Sequence, residues 1–105
     1  MTRQEEIISK VRNAADTILP TGVRLVLFGS RARGEASQES DWDFLMLLNK
    51  PMVETDDFKQ YAYPLVRLGW DLGEYFSIKL YTHKEWQQRK GTPFYKNVEQ
   101  DSIVI

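Results

Sequence analysis

The sequence contains no cysteine and no long apolar run. Without cysteine, disulfide bonds and thiolate metal sites are excluded. The longest uninterrupted apolar run, Phe44 to Leu48, is far shorter than the roughly 20 residues that a membrane-spanning helix needs. The chain begins MTRQEE, which lacks the apolar core of a signal peptide. These absences predict a soluble, cytoplasmic protein that does not interact with membranes.

The chain also lacks an excess of charge of either sign. It has 14 Lys and Arg against 15 Asp and Glu, a net charge of −1. A general nucleic-acid-binding protein would carry a basic surface, so we expect no such binding. The 105 residues can form one hydrophobic core but leave too little chain for a second substrate-binding domain of any size. We therefore predict a single domain over residues 1–105.

The residues that can carry chemistry are concentrated between positions 28 and 48, FGSRARGEASQESDWDFLMLL. Asp41 and Asp43 open an apolar run that predicts a strand over 41–48. Because side chains alternate along a strand, both carboxylates should project from one face, with their Cα atoms roughly 6.5 Å apart. Such a pair suits Mg²⁺, which takes one or two carboxylates and fills its other positions with water and substrate phosphates.

A Gly-Ser turn precedes this pair and supplies a complementary feature. Gly29 and Ser30 follow a predicted strand over 23–28. Glycine lets the backbone approach a phosphate closely, and exposed amides attract anions. A short helix is predicted from Ser30, with its N-terminus towards the phosphates. Arg31 and Arg33 lie nearby, where forked donors suit oxygen pairs, although a solvated or structural salt-bridge role is equally open for each.

These residues resemble the signature of the minimal nucleotidyltransferases of the DNA polymerase β superfamily. That signature is a hydrophobic-Gly-Ser turn, a spacer, and Asp-x-Asp between hydrophobic residues. Gly29, Ser30, Asp41 and Asp43 match it with ten residues between the halves, and the inserted segment RARGEA is typical of the group. The resemblance implies an α/β (α+β) fold with a three- to four-stranded mixed sheet flanked by helices. It also implies that ATP or another NTP binds with Mg²⁺, or with Mn²⁺ in its place.

The sequence departs from the family pattern at one position. By the resemblance, fully active members place a third carboxylate on the next core strand, facing the first two. The strand predicted over 74–81 turns Phe76, Ile78 and Leu80 to one side, so the facing positions are Ser77 and Lys79. Neither residue is acidic. Because the third acid serves the second metal ion by family analogy, its absence affects turnover more than nucleotide binding.

Two classes of function follow from the resemblance. The first is a Mg²⁺-dependent nucleotidyltransferase that transfers AMP from ATP to an acceptor hydroxyl. Minimal members resemble the antitoxins of toxin–antitoxin pairs, whose partner is a small helical protein of the HEPN type. The alternative is a catalytically weak or inactive nucleotide-binding module that neutralises a toxin by docking to it. An antibiotic-modifying enzyme is less favoured, because those relatives carry an extra domain for the drug.

The remaining pattern predicts the helices and the core. Thr2 begins a first helix, which ends before Pro20. A helix predicted over 55–72 contains Pro64, which should kink or split it, and Phe58 lies on its buried side. Further helices should begin after Thr82 and Thr92, and a short edge strand is predicted over 102–105. The predicted core includes all three tryptophans, Trp42, Trp70 and Trp86.

Overall fold

A mixed sheet of four strands forms the centre of the computed structural model, which describes residues 1–105. The strand order is β3-β2-β1-β4. Strand β1 pairs antiparallel with β2 and β4, whereas β2 pairs parallel with β3. The fold class predicted from the sequence is therefore confirmed, with the edge strand as the fourth member. The strands are β1 (Arg24–Phe28), β2 (Trp42–Leu48), β3 (Phe76–Thr82) and β4 (Ile103–Val104).

The helices begin at the capping residues that the sequence indicates. Thr2 Oγ1 accepts a hydrogen bond from the Glu5 backbone N–H at 3.1 Å. Thr82 and Glu85 form a reciprocal capping box, and the Thr92 side chain accepts from the backbone N–H of Tyr95. No helix has the length and apolar character needed to cross a membrane. The helices are α1 (Arg3–Ile18), α2 (Ser30–Arg33), α3 (Thr55–Asp57), α4 (Tyr63–Asp71), α5 (His83–Gln88) and α6 (Pro93–Asp101), with a π-helical segment (Phe58–Ala62) between α3 and α4.

The two faces of the sheet carry separate hydrophobic clusters. The larger cluster joins alternate residues of β1 and β2, including Trp42, to α1 and α4. The smaller cluster joins the other residues of these strands to Trp86 of α5 and Val98 of α6. Because side chains alternate across a strand, Asp43 shares the face of the smaller cluster, which includes Leu45. The candidate carboxylates therefore lie on the face that α5 and α6 cover.

The helical region around Pro64 is not split into two helices. It runs through α3, the π-helical segment and α4 without interruption. The Tyr63 N–H donates to the carbonyl of Phe58, five residues earlier. This wide turn comes directly before Pro64, which has no N–H to donate.

Two core predictions in this region are wrong. Phe58 is 45% exposed, because the extra residue of the wide turn rotates it away from the stripe that α4 buries. Trp70 is 54% exposed, since α4 packs through Leu65 and Gly69 instead. A Cβ at Gly69 would lie 2.7 Å from the Phe76 ring, so the helix approaches β3 too closely for a larger residue. Trp42 and Trp86 are fully buried, as predicted.

Candidate functional site

The turn after β1 brings Gly29 into contact with Asp43. Phe28 is the Cα partner of Asp43 in the antiparallel pair of β1 and β2, so Gly29 follows directly beside the carboxylate. Gly29 has φ 75° and ψ −159°, a conformation that is essentially restricted to glycine. A Cβ there would lie 2.6 Å from Asp43 Oδ2. Glycine is therefore required both by the backbone and by the neighbouring carboxylate, and the two halves of the sequence motif lie side by side.

The Asp-x-Asp pair lies at the start of β2, with Asp41 directly before the strand and Asp43 within it. The negative charge of the pair is incompletely compensated by nearby cations. Asp41 is exposed and Asp43 is partly buried, while Trp42 between them is fully buried on the opposite face. Burial raises the pKa of the Asp43 carboxyl, and the charge of Asp41 raises it further. Lys79 and Arg33 act in the opposite direction on this pKa. A divalent cation between the carboxylates would relieve this repulsion.

The position facing Asp43 on the next strand is not acidic. Ser77 is the Cα partner of Asp43 in the parallel pair of β2 and β3, and Lys79 is the partner of Leu45. Both side chains project from the face of Asp43. No group of three or more His, Cys, Asp and Glu side chains is arranged to hold a metal ion. The donor set fits one Mg²⁺ completed by water and phosphate oxygens, but it does not fit a second ion.

The first turn of α2 presents its backbone next to this pair. Gly29 is the N-cap of α2, and its carbonyl accepts from the N–H groups of Ala32 and Arg33 at 3.1 and 3.2 Å. The first N–H groups of a helix have no partner within it. Ser30, the first residue of α2, is partly buried. The turn can therefore offer backbone amides and a hydroxyl to an anion beside the carboxylates.

The two arginines of the motif have different surroundings. The Arg31 guanidinium donates to the carbonyls of Ser40 at 2.9 Å and Gln38 at 3.2 Å. It also lies 4.6 Å from the ring centroid of Trp42. These contacts fix the loop that leads into Asp41, and they favour the structural alternative for Arg31 because Trp42 lies on the opposite face from Asp43.

Arg33 stays close to the candidate site. Its Nε lies 3.2 Å from Glu35 Oε2 in an exposed salt bridge. Its positive charge also lowers the pKa of Asp43, and it lines a cleft with Gly29. Arg33 is therefore the arginine placed to interact with a bound anion.

A cleft that is not predicted from the sequence extends from the turn towards α6. Asn97 has no predicted role, although it lies three residues after Phe94 and therefore on the same face of a helix. The helical spacing alone could have indicated that an amide accompanies the aromatic ring. The residues lining the cleft are Phe28, Gly29, Arg33, Phe94, Asn97 and Val98.

Comparison with known proteins identifies the family. The sequence matches the nucleotidyltransferase domain over residues 8–102. The chain belongs to this family. The family inferred from the Gly-Ser and Asp-x-Asp motifs is thus confirmed. Nucleotidyltransferase domains generally use divalent metal ions. No curated protein is significantly similar to the sequence.

Solved structures share the fold of this nucleotidyltransferase domain. One is a protein from Sulfolobus solfataricus described as a candidate nucleotidyltransferase, with 19% identity and a TM-score of 0.62 over 97% of this chain and 78% of that one. Another belongs to a toxin–antitoxin complex crystallised with AMP-PNP, with 17% identity and a TM-score of 0.58 over 98% of this chain and 72% of that one. At these identities the similarity establishes the fold alone.

Proposed function

We propose that this domain binds Mg-ATP, or another NTP with Mg²⁺, and transfers AMP to a hydroxyl of an acceptor. The close approach of the Gly29 backbone to Asp43, where a Cβ would lie 2.6 Å from Oδ2, supports this proposal most directly, because it joins the phosphate turn to the carboxylate pair. In the transfer, the acceptor oxygen forms a bond to the α-phosphorus as the bond to the pyrophosphate oxygen breaks. Pyrophosphate is the second product.

The proposed roles follow the position of each side chain. Asp41 and Asp43 would hold Mg²⁺, or Mn²⁺ in its place, and the bound ion would neutralise charge on the phosphates. Gly29 leaves room for the phosphates beside its backbone, and Ser30 donates its hydroxyl to them. Arg33 adds positive charge at the same place. We assign Arg31 to the loop that positions Asp41, rather than to the nucleotide.

The acceptor that we propose is a small helical protein of the HEPN type, which this domain would neutralise as its antitoxin. The structural similarity to a toxin–antitoxin complex crystallised with AMP-PNP supports both a protein partner and an adenine nucleotide. The near-neutral charge of the chain supports a protein rather than a nucleic acid as partner. A cytoplasmic location belongs to this proposal, because ATP and such a partner would meet there.

A second candidate function is supported by the lack of an acidic residue at the third metal-ligand position, on β3. Ser77 and Lys79 stand where an acidic ligand is expected, and a charged lysine cannot hold a cation. The domain would then bind the nucleotide with one metal ion and neutralise its partner by docking, with slow transfer or none.

The two candidates are distinguished by incubation with α-labelled ATP, Mg²⁺ or Mn²⁺, and a small helical protein of the HEPN type. Label on the helical protein that disappears in Asp43→Asn supports transfer. A stable unlabelled complex supports docking alone. The exposed variant Glu39→Gln is a matched control, because it removes one nearby negative charge outside the carboxylate pair. If the two proteins neither react nor associate, both candidates are refuted.

A further inference from the structure

A cleft of about 180 Å³ opens directly beside the candidate phosphate site, between the turn after β1 and helix α6. Its apolar wall comprises Phe28, Phe94 and Val98. The rings of Phe28 and Phe94 meet edge to face, with their centroids 5.6 Å apart. Gly29 lines the same cleft and also lies so close to Asp43 that a Cβ at residue 29 would be 2.6 Å from Oδ2. A molecule whose phosphates lie at Gly29 can therefore extend into this cleft.

The apolar wall and its position favour a planar aromatic group as the occupant. Aromatic side chains bind nucleobases through their ring faces and edges, largely irrespective of the base. Arg33, at the boundary between cleft and turn, favours a group attached to phosphates. The base of a nucleotide is a planar aromatic group and is attached to phosphates, whereas the side chain of an acceptor protein would bring no phosphate.

One polar side chain in the cleft can distinguish between bases. Asn97 is exposed and lies one helical turn from Phe94. An asparagine amide pairs with adenine through two hydrogen bonds, accepting from the N6 amino group and donating to N7. Guanine presents acceptors at both O6 and N7, so the amide oxygen would face another acceptor.

We propose that this cleft binds the base of the nucleotide and that Asn97 selects adenine over guanine. The inference rests on the proposed function, because it requires the triphosphate at Gly29 and Asp43. It also names the substrate, since the site then takes ATP in preference to other nucleoside triphosphates.

The test is a titration calorimetry comparison of Mg-ATP, Mg-GTP and Mg-tripolyphosphate. We expect ATP to bind about tenfold more tightly than GTP, as is typical of one paired amide. Tripolyphosphate, which has no base, should bind more weakly than ATP. Asn97→Ala should remove the preference for ATP and leave tripolyphosphate binding unchanged. Asn97→Arg should reverse the preference, because a guanidinium pairs with O6 and N7 of guanine.

The control variant is Gln100→Ala. Gln100 is exposed on the same helix but lies outside the cleft, so this variant should keep the ratio of ATP to GTP affinity that the wild type has. Equal affinity of the wild type for all three ligands would overturn the cleft assignment and leave the proposed function intact. An ATP to GTP ratio that is unchanged in Asn97→Ala would overturn it in the same way. If none of the three ligands binds, the proposed function itself fails, and the cleft assignment fails with it.

Discussion

Among single residues, Asp43 should reduce the stability of the metal-free protein. Its pKa in the folded state lies above the ordinary value of 3.8, because burial and the neighbouring Asp41 disfavour the charged form. A group with a raised folded pKa contributes stability below its unfolded pKa and loses it as the pH rises through the folded pKa. The ionised carboxylate therefore costs stability at neutral pH.

We expect Asp43→Asn to raise the melting temperature of the metal-free protein at pH 7. The difference from the wild type should shrink as the pH falls towards the ordinary pKa of an aspartate, where the wild-type carboxyl becomes neutral. Thermal unfolding in EDTA over a pH series measures this. Asp16→Asn, an exposed change of the same chemistry on α1, should show no such gain. A variant less stable than the wild type at every pH would contradict the electrostatic explanation.

Gly29 offers a second prediction at this scale, with Gly34 as its internal control. Both have positive φ, 75° and 73°, but a Cβ at Gly34 would meet no atom within 4 Å. Gly34→Ala should cost about 1 kcal/mol from backbone strain alone and leave ATP affinity unchanged. Gly29→Val should destabilise the fold more and also weaken ATP binding, because its side chain would displace the Asp43 carboxylate. Ser30→Ala should cost on the order of 1 kcal/mol of binding.

Urea unfolding measures the loss of folding stability in these variants, and ATP titration of the folded variants measures the loss of ATP affinity. If Gly29→Val bound ATP as tightly as Gly34→Ala does, the triphosphate would have to lie elsewhere.

On the level of elements, strand β3 should determine how many metal ions the proposed site can hold. Ser77 is the register partner of Asp43, so Ser77→Asp would place a third carboxylate beside the first two. We expect this variant to raise the number of bound Mn²⁺ ions from one to two per chain and to accelerate AMP transfer. Lys79→Glu is the alternative variant, because Lys79 is the other predicted facing residue on β3. Ser77→Asn, similar in size but neutral, should do neither.

The bound Mn²⁺ is counted from the loss of its free-ion spin resonance signal in the presence of ATP. Two ions bound to the wild type would show that another residue supplies the missing ligand.

Helix α6 forms one wall of the cleft and is anchored by Glu99. Glu99 Oε1 accepts from the indole Nε1–H of buried Trp86 at 2.7 Å and from Arg24 at 3.1 Å. Arg24 and then Trp86 lower the pKa of Glu99 against the effect of burial. A depressed folded pKa means that this stability is present above the ordinary pKa of 4.5 and is lost as the pH falls through the folded value.

We expect Glu99→Ala to cost about 1–3 kcal/mol in urea unfolding at pH 7, because the buried Trp86 N–H loses its acceptor. Glu99→Gln keeps an acceptor and should cost less. The difference between Glu99→Gln and the wild type should narrow in acid, where the native carboxyl also becomes neutral. Gln100→Ala, on the adjacent exposed position, should change little. An equal loss in Glu99→Gln and Glu99→Ala would mean that the charge, and not the indole hydrogen bond, anchors the helix.

The same elements show where sequence periodicity succeeds. The strands and capped helices follow from local patterns of apolar residues and of Thr, Pro and Gly. The burial of Trp42 on the face opposite Asp43 follows from the alternation of a strand. By the same alternation Ser77 and Lys79 share the face of Asp43, and in the register of β2 and β3 Ser77 pairs with Asp43 whereas Lys79 pairs with Leu45.

Other features depend on contacts that no local pattern contains. A helical pattern assumes the same residue spacing throughout. The wide turn before Pro64 breaks this spacing, so the predicted burial of Phe58 is wrong. Trp70 is predicted to lie in the core like the other two tryptophans, although its spacing from Leu65 does not place it on the buried stripe of α4. The carbonyls that hold Arg31 belong to an irregular loop, and the cleft beside Gly29 forms only when α6 returns to the sheet.

For the whole molecule, the two hydrophobic clusters should unfold together. Both are built on β1 and β2, with Trp42 in one and Trp86 in the other, so neither cluster can lose its strands alone. We therefore propose that residues 1–105 form one cooperative domain. In that case a ligand that binds the native site stabilises both clusters equally, by about 2.7 kcal/mol at a hundredfold excess over its Kd.

We expect Mg-ATP to raise the melting temperature by the same amount in Trp42→Phe and Trp86→Phe, each made together with Trp70→Phe so that one buried tryptophan is the only one left. In each variant the fluorescence transition should coincide with the loss of far-ultraviolet circular dichroism. Adding Asp43→Asn to either variant should abolish most of the rise, since the nucleotide then lacks its metal ligand, whereas adding Asp16→Asn should not. Because Asp43 follows Trp42 on β2 but faces the cluster of Trp86, a rise reported by only one tryptophan would show that the faces unfold separately. An undiminished rise with Asp43→Asn would instead remove this carboxylate from the nucleotide site.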